Sequence, residues 1–198
     1  AETEPTVFDK YRPLQEQNSD MVGWIFIEGT EINYPVMQTR NNPDYYLKHS
    51  FDKTWSDYGV PYVDEACTVG ISNNLVIYGH NMKNGTMFHD LIQYKDMDFW
   101  KENRYIHFDT LTEYHTYEIF AVFGTSADPA EGFHYHTFTN ASSAADFDNY
   151  VAKAKELSYY ETEITPQFGD KLLTLSTCDK HIGYGSDGRL VVMARRVV

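Results

Sequence analysis

Basic residues and long apolar runs are scarce in this chain. Of its 198 residues, 16 are Lys or Arg and 29 are Asp or Glu, which gives a formal net charge of −13. Nucleic-acid binding needs a basic face, so this balance argues against a nucleic-acid partner. No apolar run reaches the roughly 18 residues of a membrane-spanning helix, and no signal peptide is recognisable. The polar start at Ala1 is either native or the point where a leader or an anchor was removed.

Cysteine is also rare, and the common metal-binding motifs are missing. The sequence contains no CxxC pair, no HExxH helix and no EF-hand loop, so we predict neither a metal nor a cofactor. The two cysteines are Cys67 and Cys178. The two could form a disulfide in a secreted protein, but neither sulfur could then act as a nucleophile. We interpret Cys67 as a small, half-buried apolar residue.

Short apolar stretches between turn residues predict one mainly β domain. We expect about eight strands in a closed or nearly closed β-barrel with appended helices. Residues 1–20 are predicted to pack on the barrel as an N-terminal helical segment with its helix at 5–20, and the barrel itself to occupy 21–198. An extra helix, capped by Ser142 or Ser143, is predicted before the last two strands at 142–157. The other predicted strands are 23–28, 32–38, 58–64, 75–80, 105–110 and 116–125.

Three side chains capable of catalysis stand at predicted strand ends. Cys178 ends one apolar strand and Arg189 opens the next, which suggests a nucleophile with a fixed cation that stabilises a thiolate or an oxyanion. His80 ends the strand at 75–80 and has the side chain best suited to proton transfer near neutral pH. Each also has a structural interpretation: a buried cysteine, a histidine that donates to a carbonyl, and a solvated or salt-bridged arginine. His181 is a rival for the base.

These segments, in this order, resemble a sortase, a cysteine transpeptidase of Gram-positive cell surfaces. The match rests on Thr174–Cys178 (TLSTC against the family signature TLxTC), on Arg189 before Leu-Val-Val, and on His80 within Tyr-Gly-His-Asn. The similarity covers nearly the whole chain and looks closest to class B. The features that favour class B are the N-terminal helix, the segments 19–24, 32–38, 44–47 and 78–88, and the helix at 142–157.

The resemblance implies the eight-stranded sortase barrel and a reaction. A sorting signal near the C-terminus of a secreted protein is cleaved after threonine, and the acyl group passes through a thioacyl-enzyme to an amine of a peptidoglycan precursor or a pilin. Cys178 is then the nucleophile, His80 the general acid and base, and Arg189 the stabiliser of the substrate carbonyl. The implied location is the extracellular face of the membrane, with an N-terminal anchor outside this sequence. Signals of the Asn-Pro-Gln-Thr-Asn and Pro-Pro-x-Thr-Gly kinds both remain open.

Substrate-binding residues are predicted from their place beside the nucleophile and from the resemblance. Ser176, Thr177 and the segment from Asn42 to Leu47 are expected to line a groove for an extended peptide. Ser176 is equally compatible with a strand residue that touches no ligand. The aromatic residues of the loop at 127–140 form either a wall of the groove or local core; they are Phe133, Tyr135 and Phe138.

Other protein classes fit less well. A papain-like peptidase places its cysteine early, on a helix, with the histidine later, whereas here His80 precedes Cys178. An L,D-transpeptidase has a histidine in a His-Gly segment close upstream of its cysteine, which is missing. A catalytically silent, sortase-like peptide-binding module would lack one of the three catalytic side chains, and all three are present.

Overall fold

Eight strands close into a barrel in the computed structural model, which describes residues 6–198. Around the barrel the strands follow the order β1-β2-β3-β4-β7-β8-β6-β5, and β5 returns to β1. The predicted fold class is confirmed. The strands are β1 Met21–Phe26, β2 Asn33–Met37, β3 Tyr62–Val63, β4 Asn74–Tyr78, β5 Tyr105–Thr110, β6 Thr116–Ser126, β7 Leu172–Cys178 and β8 Gly188–Arg196.

Within the described residues 6–198, three α-helices and four short 3-10 helices accompany the barrel. The α-helices are α1 Arg12–Gln17, α2 Met97–Glu102 and α3 Ala144–Leu157. The 3-10 helices are Tyr45–Leu47, His89–Lys95, Tyr135–Thr137 and Gly185–Asp187. None of the helices within residues 6–198 is both long and apolar enough to cross a bilayer.

The burial of each strand follows its sequence pattern. In β5 every second residue is buried, as expected for a strand with one face on the core. By contrast, β7 is buried at every position from Leu172 to Thr177, which is the pattern of a strand with protein on both faces. Gly23 in β1 is required by close approach, since a Cβ atom there would lie 2.4 Å from the carbonyl oxygen of Asp109.

The N-terminal helix is shorter than predicted. It spans Arg12–Gln17 rather than 5–20, and Pro5 lies outside the described residues. Before it, the backbone N–H of Phe8 donates to the carbonyl of Leu111, so this stretch pairs with the β5–β6 turn. After it, Asn18 is extended, and its side-chain amide donates to the Tyr46 hydroxyl. Tertiary hydrogen bonds therefore override the helical pattern at both ends.

The strand predicted at 58–64 is also reduced, to Tyr62–Val63. Gly59 has a φ of 59°, and a Cβ atom there would lie 2.3 Å from the carbonyl of Tyr46. The next residue, Val60, donates its N–H to that same carbonyl. The N–H of Val60 is therefore bonded to the 3-10 helix Tyr45–Leu47 and is not available to extend β3.

The helix before the cysteine strand closely matches its prediction. In α3 the Ser143 hydroxyl accepts from the N–H of Asp146, so Ser143 is the N-cap. The helix packs on β6 through its buried face, which comprises Phe147, Tyr150, Val151 and Ala154.

Cys67 is fully buried, and both cysteines are free thiols. The Cys67 thiol donates to the carbonyl of Asn74, and burial raises its pKa to about 11. A buried thiol that stays protonated is a poor nucleophile. This agrees with an apolar packing role for Cys67, although the residue is more deeply buried than predicted.

Candidate active site

Strand pairing brings His80 and Cys178 to the same edge of the barrel. The strands β4 and β7 are parallel neighbours, with Tyr78 opposite Ser176. His80 and Cys178 each follow these partners by two residues. Beyond the ladder, the N–H of Gly79 donates to the Ser176 carbonyl over 3.2 Å, and the Thr177 hydroxyl donates to the Gly79 carbonyl over 2.7 Å. The pairing thus continues to the last residue before the histidine.

Arg189 reaches the same edge from the other side of β7. The strands β7 and β8 are antiparallel, and Cys178 lies directly opposite Arg189. Residues so placed have Cα atoms about 4.5–5.5 Å apart. The Arg189 Nη1 donates to the carbonyls of Ser186 and Gly188, each over 2.9 Å. Within residues 6–198 its hydrogen bonds therefore go to backbone rather than to a carboxylate, and the remaining N–H groups of the guanidinium are left for a ligand.

His80 is held by a backbone carbonyl. Its Nε2 lies 2.6 Å from the carbonyl oxygen of Leu47. Because a carbonyl only accepts, Nε2 carries the proton, and Nδ1 of the neutral ring keeps a lone pair. The structural interpretation of His80 as a donor to a carbonyl is thus compatible with a catalytic one, since this bond fixes the tautomer and the ring orientation.

The three side chains line one cleft, whose volume is about 390 Å³. Cys178 is half-buried and is a free thiol. His181, the rival base, is exposed in the β7–β8 loop and is not among the residues that line the cleft. A nucleophile, an acid–base group and an oxyanion donor around one cleft are the components of acyl transfer by covalent catalysis.

Comparison with known proteins gives the family. The family model described as Sortase domain matches residues 25–197. This chain belongs to the sortase family. It is 39% identical over 193 residues to Sortase B of Listeria monocytogenes, covering 96% of this chain and 75% of that protein. Together with the solved structures below, this relative identifies class B, and the enzyme is a cysteine transpeptidase.

Two solved structures share the fold of this sortase. A Staphylococcus aureus sortase B–substrate complex superposes with a TM-score of 0.86 at 26% identity, covering 96% of this chain and 86% of that one. A sortase B complexed with triglycine superposes with a TM-score of 0.85 at 25% identity, covering 95% of this chain and 85% of that one.

Of the four predicted substrate-binding residues, three line the cleft. Leu47 is 38% exposed there and is the residue whose carbonyl holds His80. Ser176 and Thr177 lie in the cleft lining, each 2% exposed. The Ser176 hydroxyl shares a 2.6 Å hydrogen bond with the hydroxyl of Tyr135, so these two groups act together.

Asn42 lies elsewhere. It lines a separate depression with Asp20, Arg40 and Lys53, and is not among the residues that line the catalytic cleft. The physical reason is the turn that precedes the 3-10 helix Tyr45–Leu47, in which the Asn42 carbonyl accepts the N–H of Tyr45. That turn directs Pro43, Asp44 and Leu47 towards the cleft instead.

The aromatic loop serves both of the roles considered for it. Tyr135 is buried and lines the cleft. Phe133 and Phe138 pack against Tyr150 of α3, with ring centroids 5.4 Å and 4.0 Å from it respectively, and so belong to the core.

Sequence reasoning missed most of the ionisable groups in the cleft walls, since only Asp44 belongs to the segment from Asn42 to Leu47 that was expected to line a groove. Three carboxylates line the cleft, those of Asp44, Asp64 and Glu65, and so does His136. Asp64 accepts a 2.7 Å hydrogen bond from the hydroxyl of Tyr78, whose pKa is raised by burial and by that carboxylate. A signal was present, since Asp64 and Glu65 directly follow β3 at the edge of the barrel.

The structure does not suggest a metal centre in the part of the chain that it describes. Among residues 6–198, no group of three His, Cys, Asp or Glu side chains is arranged to hold an ion.

Proposed function

We propose that this sortase cleaves the sorting signal of a secreted protein after threonine and transfers the acyl group to a cell-surface amine. The observation that carries the proposal is the register of β4, β7 and β8, which places His80, Cys178 and Arg189 around one cleft. The similarity to a sortase B–substrate complex and to a sortase B complexed with triglycine supports a peptide donor and an amine acceptor.

The first half of the reaction forms a thioacyl-enzyme. The Cys178 thiol gives its proton to His80 Nδ1, and the thiolate attacks the threonine carbonyl carbon. Negative charge develops on the carbonyl oxygen, where the free N–H groups of Arg189 donate. The C–N bond then breaks, and the imidazolium returns its proton to the departing amine.

The second half releases the product. The acceptor amine attacks the thioester, and His80 takes the proton that this amine loses. Arg189 stabilises the second oxyanion as it stabilised the first. The C–S bond breaks, and Cys178 leaves as a thiolate. Because Nε2 of His80 already donates to the Leu47 carbonyl, a single nitrogen, Nδ1, serves both proton transfers.

The cellular setting is part of the same proposal. We place the enzyme on the extracellular face of the membrane, tethered by an N-terminal anchor, with a peptidoglycan precursor or a pilin as the source of the amine. Selective digestion of intact cells by an external protease would test this location, because only an outward-facing domain is accessible.

The decisive assay combines peptides of the two signal types, Asn-Pro-Gln-Thr-Asn and Pro-Pro-x-Thr-Gly, with triglycine or a diaminopimelate-type amine. Mass spectrometry should show cleavage after threonine and a new amide with the amine. Cys178→Ala should abolish both. Arg189→Lys should lose most of the activity, since an ammonium group is a point charge and cannot replace the planar fork.

The outcomes separate the candidate functions. Cysteine-dependent cleavage with transfer establishes the transpeptidation and identifies the signal. Peptide binding without cleavage, together with a thiol that does not react with a methanethiosulfonate reagent, would instead indicate a peptide-binding module.

A further inference from the structure

No hydrogen bond among residues 6–198 joins the side chain of His80 directly to that of Cys178. Strand pairing aligns the two residues, but the ladder ends at Gly79, and the chain then turns away through residues 81–87. Transfer between two groups at strand ends needs a fixed separation, because a misplacement of about 1 Å can cost about 100-fold in rate.

The side chain of Asn81, the residue after His80, spans this gap. Its Nδ2 donates to the carbonyl oxygen of Cys178 over 2.9 Å. Its Oδ1 lies 2.7 Å from Nδ1 of His89. On the same turn, the N–H of Phe88 donates to the His80 carbonyl over 2.8 Å. The backbone of the acid–base residue and that of the nucleophile are therefore connected through one amide.

His89 fixes the orientation of that amide. An amide oxygen only accepts, so the shared hydrogen bond requires Nδ1 of His89 to be the donor. With Oδ1 turned towards His89, the amide presents Nδ2 to the Cys178 carbonyl. His89 lies in the 3-10 helix His89–Lys95, and Lys95 of that helix forms an ion pair with Asp179, the residue after the nucleophile. One helix thus supports two consecutive residues at the end of β7.

We propose that Asn81 is a positioning residue that holds Cys178 and His80 at the separation needed for proton transfer, with His89 orienting its amide. Asn81 acts on the backbone of Cys178 and does not touch the reacting atoms. The inference rests on the proposed function for its catalytic consequence, but the coupling between thiol and imidazole is measurable without any peptide substrate.

The first test is the pH profile of Cys178 alkylation by iodoacetamide. In the unmodified enzyme, His80 should promote thiolate formation near neutral pH. Asn81→Ala should move the profile to that of His80→Ala, since the backbone of Cys178 is then no longer held and the thiol lies out of reach of the imidazole. Asn84→Ala is the matched control. Asn84 lies in the same turn, but its amide donates to the Tyr58 hydroxyl, away from the nucleophile. Its profile should equal that of the unmodified enzyme.

The second test uses variants that keep the shape of the network. Asn81→Asp preserves an acceptor for His89 but turns an oxygen towards the Cys178 carbonyl, so its profile should also shift. His89→Leu removes the orienting donor and should shift it in the same direction, whereas His89→Gln retains a donor and should restore it. If Asn81→Ala does not fold, the pH profiles of Cys178 alkylation in His89→Leu and His89→Gln decide instead.

Peptide kinetics give the catalytic consequence. We expect kcat of Asn81→Ala to fall about 10- to 100-fold with KM little changed, because binding is preserved and alignment is lost. An alkylation profile that Asn81→Ala and His89→Leu leave unchanged would overturn the proposal. So would a loss that appears only in KM. If the unmodified enzyme cleaves no peptide, the proposed function fails, while the alkylation profiles still decide the role of Asn81.

Discussion

His136 adds a titrating side chain to the wall of the cleft. It is half-buried, and burial lowers its pKa below the usual value; nearby Asp64 opposes this shift and His134 adds to it. The folded protein therefore binds fewer protons at this position than the unfolded chain does. Above the unfolded pKa of about 6.5 both states are neutral here, and the residue has no effect on the pH dependence of stability.

At acid pH, His136 should destabilise the folded protein, because its pKa is lowered by burial. As pH falls from about 6.5 through the folded pKa, protonation favours the unfolded state, and the free energy of unfolding should decrease. Urea unfolding of the native protein and of His136→Gln between about pH 5 and 8 measures this, since glutamine does not titrate. The native protein should lose more stability than the variant on the acid side only. Parallel curves over the whole range would contradict the assignment.

Residues at strand ends were predictable in a way that loop residues were not. Cys178 and Arg189 were recognisable because each borders an apolar run, and the resemblance added the assignment of His80. Asn42 and His136 depend instead on how loops turn, and a reversal of one turn moves a side chain from one depression to another. Asn81 carried a different difficulty. Its proposed role depends on a hydrogen bond to the backbone carbonyl of Cys178. Every residue has such a carbonyl, so the sequence does not indicate which one a side chain will bind.

The 3-10 helix His89–Lys95 contributes to stability through a buried ion pair. Asp179 is 2% exposed, and its partner Lys95 is 33% exposed. Removing one partner of a buried pair leaves an uncompensated charge, which is strongly destabilising. Because a third of Lys95 faces solvent, we expect a smaller loss for Lys95→Met, of about 1–3 kcal/mol in the free energy of unfolding.

The control variants isolate the charge. Asp179→Asn, combined with Lys95→Met, should recover part of the loss, since the amide oxygen can still accept the N–H of His181 that now bonds the carboxylate. Lys101→Met removes an exposed lysine paired with Asp98 and should change stability by less than about 0.5 kcal/mol. Chemical denaturation gives the free energy of unfolding of the native protein and of the three variants. A loss for Lys95→Met no larger than that for Lys101→Met would refute the prediction.

For the molecule as a whole, the sequence predicted which strands and helices form better than it predicted which strands pair with each other. Strand number, the position of β5 and the helix before β7 follow from local patterns of apolar and capping residues. Pairings such as that of β4 with β7, which brings His80 to the site, join segments far apart in the chain, here in parallel, whereas β7 and β8 are consecutive strands. Local patterns do not specify such non-local pairings, and the resemblance was needed to expect them.

The net charge of −13 should also affect which peptides the cleft accepts. The carboxylates of Asp44, Asp64 and Glu65 line the cleft, so the field at its mouth attracts cations. For peptides of the Pro-Pro-x-Thr-Gly kind, kcat/KM should be several-fold higher with Lys than with Glu at the variable position, and intermediate with Gln. Raising the ionic strength from about 10 mM to about 0.5 M shortens the Debye length and should bring the three values together.

The measurement is kcat/KM for each peptide at both salt concentrations. A Lys-to-Glu ratio that salt leaves unchanged would show that contact with particular side chains, rather than the field of the whole molecule, sets the preference.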